Sequence, residues 1–380
     1  MTGTAAATRT EVLGVGLAAQ LPCDAELALA PQHPVAHPGF TLVVDVAGEV
    51  VTAADAQVGL MHRSAEKLFE ARDYRQAMLL ANRHDWLSPF CSELTIALAA
   101  EEALGLVPPE RATWTRTLLV EAQRVSAALS FLAPVAGPSR HAAEALRERF
   151  ADVLEALTGA RVHPGYARIG GVAHPMPDDV RDAYGALAAE CVRLADPLSD
   201  AVSAYADPFA GVARLTRDDA LAWGTSGVVA RASGLDLDLR RDDPPLAYGE
   251  LGNVLDVVVR PEGDVPARYG LLADQVRSSA RLLGVCVERL SALGDGEVDV
   301  PLPKVVRLPE GTTYAWLEGP LGICGALVVS TGEKSPWRLK IRSASFATMQ
   351  AMTAALPGTP REALAAAVMS FPVVMGDVDR

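Results

Sequence analysis

Two histidines four residues apart, His33 and His37, are the first residues along the chain with the spacing of a metal-ligating pair. That spacing brings two side chains to one face only if the segment is helical. Pro34 and Pro38 follow them directly and disfavour a regular helix, because proline lacks the backbone donor and crowds the preceding turn. No metal site is expected there. Cysteine offers no alternative: Cys23, Cys91, Cys191, Cys286 and Cys324 are scattered, with no CxxC, which argues against a zinc ribbon, an iron–sulfur cradle or a thioredoxin-type pair. They are expected to be small buried apolar residues. No GxGxxG, Walker loop, GxSxG or HExxH is present, so nucleotide binding, a serine-hydrolase elbow and a helical zinc site have no support. Residue types and spacing by themselves assign no reaction.

The elements that must position any functional residues belong to a large folded chain. Of 380 residues, 50% are apolar, 21% charged and 5% aromatic, a composition that excludes a disordered chain. The length suggests about two to three domains. A net charge of −13 argues against nucleic acid as a partner, since that would need an electropositive face. Mean hydropathy is +0.18, yet no run of 18 uncharged apolar residues exists. The longest candidate, Ser126 to Ser139, is broken by Pro134 and Pro138, and a spanning helix needs about 20 residues. Met1 to Gln20 lacks a basic segment followed by a compact apolar one, so no signal peptide is expected. Any membrane contact is expected to pass through a partner.

Residues 1–30 read as a loose start. Residues 39–51, GFTLVVDVAGEVV, alternate β-branched and polar residues around Gly48 and predict a β-hairpin. Ser88-Pro89 predicts a helix N-terminus and Gly105 its end. Pro108-Pro109 opens another helix to about Leu132, and a further one runs from about Ser139 to Thr158. Helices are also expected at 178–205, 217–223, 266–293 and about 360–370, and short strands at 312–318, 323–329 and 337–342. This order predicts an α+β fold: a helix-dominated core bundle with an N-terminal β-hairpin and a C-terminal β-meander. It divides into an N-terminal β segment (1–57), a helical core (58–298) and a C-terminal β-meander and helix (299–380).

Longer motifs carry a family resemblance. PQHPVAHPG (31–39) resembles GPQHPxxHG, VGLMHRSAEKLFE (58–70) resembles IGxLHxGxEK, and RHDWLSPF (83–90) resembles RxDYLSP. Residues 98–129 follow a pattern AVEKLLG…PPRAxxIRVLxxELxRLxxHL. TGARVHPGYARIGGV (158–172) is similar to GxRxHxxYIRxGGV, and GTSGVVARASGLDLDLRR (224–241) to GxTGxxLRxSGxxxDxRK. The close, WRLKIRSASFATMQAM…VVMGDVDR (337–380), is similar to YRxKIRxPSFxxLQ…PVMGEVDR. Together these resemble the D subunit of NADH–quinone oxidoreductase, respiratory complex I (NDH-1), a relative of nickel–iron hydrogenase large subunits, and suggest a divergent second paralogue.

The resemblance implies a hydrogenase large-subunit-like fold. It implies a peripheral subunit on the cytoplasmic side of a bacterial cell membrane, in a proton-translocating enzyme that is not catalytic through this chain alone. Electrons would pass from NADH through FMN and iron–sulfur clusters on partner subunits to quinone. The chain would bind no cofactor by itself. Quinone would sit at the interface with the B subunit, which carries the terminal 4Fe–4S cluster, and the C subunit would be a second partner. Two alternatives stand beside this: a degenerate paralogue in a specialised complex without quinone reduction, and a free-standing structural or binding protein.

Four residues carry over. His37 matches the family histidine that hydrogen-bonds and protonates the quinone head group. Trp86 stands where the family has the second quinone partner, a tyrosine. Arg63 matches an arginine beside the terminal cluster, with an ion pair to Glu66 as its structural alternative, and His163 matches a histidine near that cluster. The chain departs from the family pattern at Pro38, which replaces a glycine, at Trp86, and at FLAPVAGPSR (131–140), which has no carboxylate to orient His37. It also reaches Tyr314 without the family's long preceding segment. The ending GDVDR suggests a C-terminus buried against a neighbouring chain.

Overall fold

The computed structural model describes residues 8–14, 23–29, 33–37 and 39–380. Pro38, one of the departures from the family pattern, lies outside the described residues, as do Pro31 and Gln32 of the histidine motif. Strands β1 (Thr8–Gly14), β2 (Ala25–Ala28), β3 (Thr41–Ala47) and β4 (Val50–Gln57) form one sheet in the order β2-β1-β3-β4. The β3–β4 hairpin is the expected one: Leu42, Val44 and Val46 alternate into the core, and Gly48 turns the chain with φ 63°, a value that costs glycine little. β1 and β2 correct the expectation of a loose start. The pattern of β1 hides it because Glu11 occupies a fully buried position, where Arg361 Nε at 2.6 Å and Arg9 Nε at 2.7 Å hold its carboxylate.

The helical part comprises α1 (Ala65–Phe69), α2 (Tyr74–Ala81), α3 (Pro89–Leu104), α4 (Glu110–Leu132), α5 (Arg140–Thr158), α6 (Asp178–Ala206), α7 (Arg217–Ala222), α8 (Gly227–Ala232), α9 (Leu239–Asp242) and α10 (Val265–Leu293). Two short strands, β5 (Ala167–Arg168) and β6 (Gly171–Val172), pair between α5 and α6. α10 packs along both α4 and α6. By length and composition, Glu110–Val135 is long and apolar enough to cross a membrane, but 89% of its most apolar window is buried in the core.

Strands β7 (Gly311–Glu318), β8 (Ile323–Ser330) and β9 (Arg338–Arg342) form the expected antiparallel meander. The Ala-rich helix expected over 360–370 is shorter, α12 (Leu364–Met369). Within this C-terminal part, two helices have no counterpart in the sequence expectation: α11 (Ala344–Ala355), which packs on β4, and α13 (Met375–Asp379), which takes up most of the MGDVDR tail. The fold is α+β and helix-dominated.

Buried charges tie α4 to the C-terminal sheet. Arg124 and Arg240 lie 3.1 and 3.4 Å from Glu121, Arg240 and Arg231 lie 2.7 and 3.1 Å from Asp238, and Arg231 lies 2.8 Å from Glu318. The Tyr248 hydroxyl donates to Glu121 Oε1 at 2.6 Å. Burial alone would raise the Glu121 carboxyl, but Arg124 and Arg240 hold it below its ordinary value.

Candidate functional site

The turn Asn82–Ser88, between α2 and α3, is where the selected residues meet. α2 starts on a capping box, with Asp73 Oδ1 accepting from Gln76 N at 2.9 Å. Asp85 shapes the turn after it: Oδ1 accepts from Leu87 N at 3.0 Å and Ser88 N at 3.1 Å, and the Ser88 hydroxyl donates to Oδ2. Ser88 therefore stands at the N-cap position of α3 without capping it. Gln123 Oε1 from α4 accepts the Phe90 amide at 3.1 Å instead.

Trp86 projects from this turn onto His37. The two ring centroids are 5.0 Å apart with planes 34° from parallel. Gly39 N donates to His37 Nδ1 at 3.1 Å, so the proton of the neutral imidazole belongs on Nε2. Burial moves His37 below its ordinary pKa, and among the described residues no carboxylate lies within bonding reach of it. Residues 131–140 here are the end of α4, two short helical turns and the start of α5. A Cβ on Gly39 would come within 2.8 Å of Met61 Cγ, so the loop carrying His37 packs tightly on the Met61 loop. On its other side Trp86 lies on Gly376: a Cβ there would fall 2.5 Å from Trp86 Cζ3 and 2.4 Å from the His84 carbonyl.

Arg63 is exposed, and its Nη2 donates to the Arg83 carbonyl at 3.2 Å. The alternative pair with Glu66 does not form; Arg338, Lys340 and Arg380 lie 2.7, 2.9 and 3.3 Å from that carboxylate. His163 Nδ1 lies 2.9 Å from the Asn82 carbonyl. A carbonyl can only accept, so Nδ1 carries the proton and Nε2 keeps its lone pair. Burial first, then Arg83 and Arg63, lower its pKa. The turn thus holds Arg63, Trp86 and His163 through three of its residues, and Trp86 brings His37. The two histidines are held as opposite tautomers, His37 with a donor at Nε2 and His163 with an acceptor.

Several residues are not singled out by the sequence. His84, 1% exposed, has neither ring nitrogen paired among the described residues; burial, Arg63 and Arg380 push it down to about 4. Asp85 is pushed up to about 7 by burial and by the nearby Asp377 carboxylate. Both lie inside RHDW, so the motif held the signal, but matching it to a pattern draws notice only to its aromatic end. The tail acts on the site from within the chain. Asp379 accepts from Gly59 N at 2.7 Å and Met61 N at 2.8 Å, and its carbonyl lies 2.6 Å from His62 Nδ1. Residues 376–379 are buried by the chain itself, while Arg380 stays partly exposed.

Beside Trp86 opens a cavity of about 400 Å³, whose apolar wall includes Trp86, Phe90, Leu119 and Phe150 and whose polar lining includes Gln123, Ser126 and the charged Arg147, Glu148 and Arg161. Among the described residues no cluster of three or more His, Cys, Asp or Glu could hold a metal.

Fold and sequence together define a class. The chain belongs to the family described as respiratory-chain NADH dehydrogenase, 49 Kd subunit, whose model matches residues 140–307 and 300–380. It is 45% identical to the D 1 subunit of the NADH-quinone oxidoreductase of Streptomyces coelicolor, over 98% of this chain and 99% of that one. It is 44% identical to the D 2 subunit of the Salinispora tropica enzyme, over the full length of both. To the D subunit of the Granulibacter bethesdensis enzyme it is 34% identical, over 92% of this chain and 94% of the relative.

Proposed function

We propose that this chain forms one wall of the quinone-reduction site of a proton-translocating NADH–quinone oxidoreductase, in the peripheral arm on the cytoplasmic side of the membrane. The B and C subunits of that enzyme are its neighbours, and electrons arrive from NADH through FMN and iron–sulfur clusters on partner chains. The observation that carries this reading is the stacked pair of His37 and Trp86 beside the cavity, on the same turn that holds Arg63 and His163.

The residues fit a quinone in one orientation. Flat rings stack about 3.5 Å apart, so a ring inserted between two others needs about twice that spacing. The 5.0 Å gap between His37 and Trp86 does not admit a head group between them. The head group instead meets the edge of the pair from the cavity. Trp86 lines that cavity, and His37 adjoins it through the Trp86 ring; the Trp86 indole N–H and, beside it, His37 Nε2–H are the donors this reading assigns to a quinone oxygen. The terminal cluster, on the partner subunit, would supply the electrons. This chain supplies position and hydrogen bonds, with weak proton delivery. Indole does not give up its proton as a phenol does, and His37 can release Nε2–H only if Nδ1, now facing an amide, is reprotonated.

That weakness supports a second reading, a paralogue that assembles into a specialised complex and no longer reduces quinone. Purification of the tagged full chain from membranes tests the shared part. The expected result is co-purification with flavin- and iron–sulfur-carrying subunits; a chain recovered alone at native expression contradicts both readings.

A further inference from the structure

Glu93 lies in α3 with 1% of its surface exposed. Its Oε1 accepts from Tyr166 N at 2.8 Å and Ala167 N at 2.9 Å, and its Oε2 accepts from Asn82 Nδ2 at 3.1 Å. The two backbone amides and the Asn82 side chain belong to the two segments that flank the His163 hydrogen bond. Asn82 provides the acceptor carbonyl, and Tyr166 and Ala167 continue the loop that carries the ring. The loop has little slack, because a Cβ on Gly165 would come within 2.9 Å of Leu79 Cδ2 on α2.

We propose that Glu93 is a positioning residue for His163: a single carboxylate clamps both the carbonyl that receives Nδ1–H and the loop that presents the ring, and so leaves Nε2 as the basic atom. A carboxylate suits this task because it alone offers acceptor sites on two oxygens to three donors. The charged groups around the pair are Arg83 and Arg63 facing the ring and Arg168 facing the carboxylate. Burial raises the Glu93 carboxyl, and the Ala167 amide, Asn82 and the Tyr166 amide oppose that rise. The significance of the clamp rests on the proposed function, where His163 lies near the partner's cluster, but its existence does not.

The chain contains 7 histidines, so long-range ¹H–¹⁵N spectra of the histidine-labelled full-length protein, with His163 assigned by His163→Gln, read its tautomer and its titration directly. Wild type is expected to show the Nδ1–H form and a midpoint below the ordinary value. In Glu93→Ala the Nδ1–H signature should fade and the midpoint should rise towards about 6.5, the ordinary histidine value. Glu93→Gln should stay near wild type. Its oxygen can take both amides, and Asn82, whose Oδ1 has no partner among the described residues, can turn over to accept from the new amide.

A folded Glu93→Ala protein with wild-type His163 shifts and midpoint overturns the proposal. So does a Glu93→Gln protein that shifts as far as the alanine variant, since charge rather than the clamp would then be responsible. If Glu93→Ala does not fold, Asn82→Ala carries the test: it keeps the carbonyl but frees it from Glu93. The expected change has the same direction, and an unchanged His163 overturns the proposal. None of these readouts involves quinone turnover, so this inference and the proposed function can fail separately.

Discussion

At the scale of residues, the most consequential position is Trp86. It keeps a hydrogen-bond donor beside His37 and loses the acidic proton that a phenol would offer. His37 does not compensate, since burial lowers its pKa and the Gly39 amide faces Nδ1. Quinone-reductase turnover of the assembled complex should therefore be slow, and Trp86→Tyr should raise it by about 10- to 100-fold where proton delivery limits the rate. The check is turnover in membranes carrying each version at matched assembly; a tyrosine variant no faster than wild type leaves Trp86 as packing or as a filter on quinone shape. Asp85 gives a second prediction at this scale. Its carboxyl is pushed up to about 7 by burial and Asp377, above its unfolded value of about 3.9. Its contribution to stability is thus fully present below about pH 4 and lost as pH rises through about 7. Asp85→Asn keeps an acceptor for Leu87 and Ser88 and removes the charge. It should stabilise the full chain at pH 8 by on the order of a few kcal/mol, with the gain gone at pH 4, as chemical denaturation at the two pH values would show.

At the scale of elements, the helices are legible where termini are marked by proline and glycine. Pro89 and Gly105 bound α3, Pro109 precedes α4 and Gly159 follows α5. The strand β1 is not legible, because its buried face carries Glu11, whose partner Arg361 is about as far away in sequence as the chain allows. The capping of α3 misleads for a similar reason: Ser88 has the right identity, but the acceptor that serves the helix comes from Gln123 on α4. Long-range polar pairs leave no local pattern. The buried arginine–carboxylate group linking α4, α8, α9 and β7 is the largest example. Breaking one partner there leaves a buried charge uncompensated, which costs about 3–5 kcal/mol. Arg240→Met should lower the stability of the full chain by that amount in a urea titration; a change below about 1 kcal/mol would mean that Arg124 and Arg231 already neutralise Glu121 and Asp238 between them.

At the scale of the molecule, the site is assembled from distant parts of the sequence: the loop at His37, the turn at 82–88, the loop at His163 and the C-terminal tail. Family resemblance names His37, Arg63, Trp86 and His163, but not what holds them. The tail seats Trp86 on Gly376 and grips the Met61 loop through Asp379, while Asn82 and Arg83 offer carbonyls to His163 and Arg63. Backbone carbonyls and a missing Cβ are invisible to residue-type reasoning, which explains why the candidate residues are readable from the sequence and their scaffold is not. The central claim is that His37 Nε2–H is presented to quinone, and quinone-reductase turnover of the purified complex carrying His37→Asn tests it most directly. The asparagine oxygen can still accept the Gly39 amide and keep the turn, but no donor then reaches as far as Nε2. With assembly intact, turnover is predicted to fall by about 10- to 100-fold; a His37→Asn complex that reduces quinone at the wild-type rate would contradict the account.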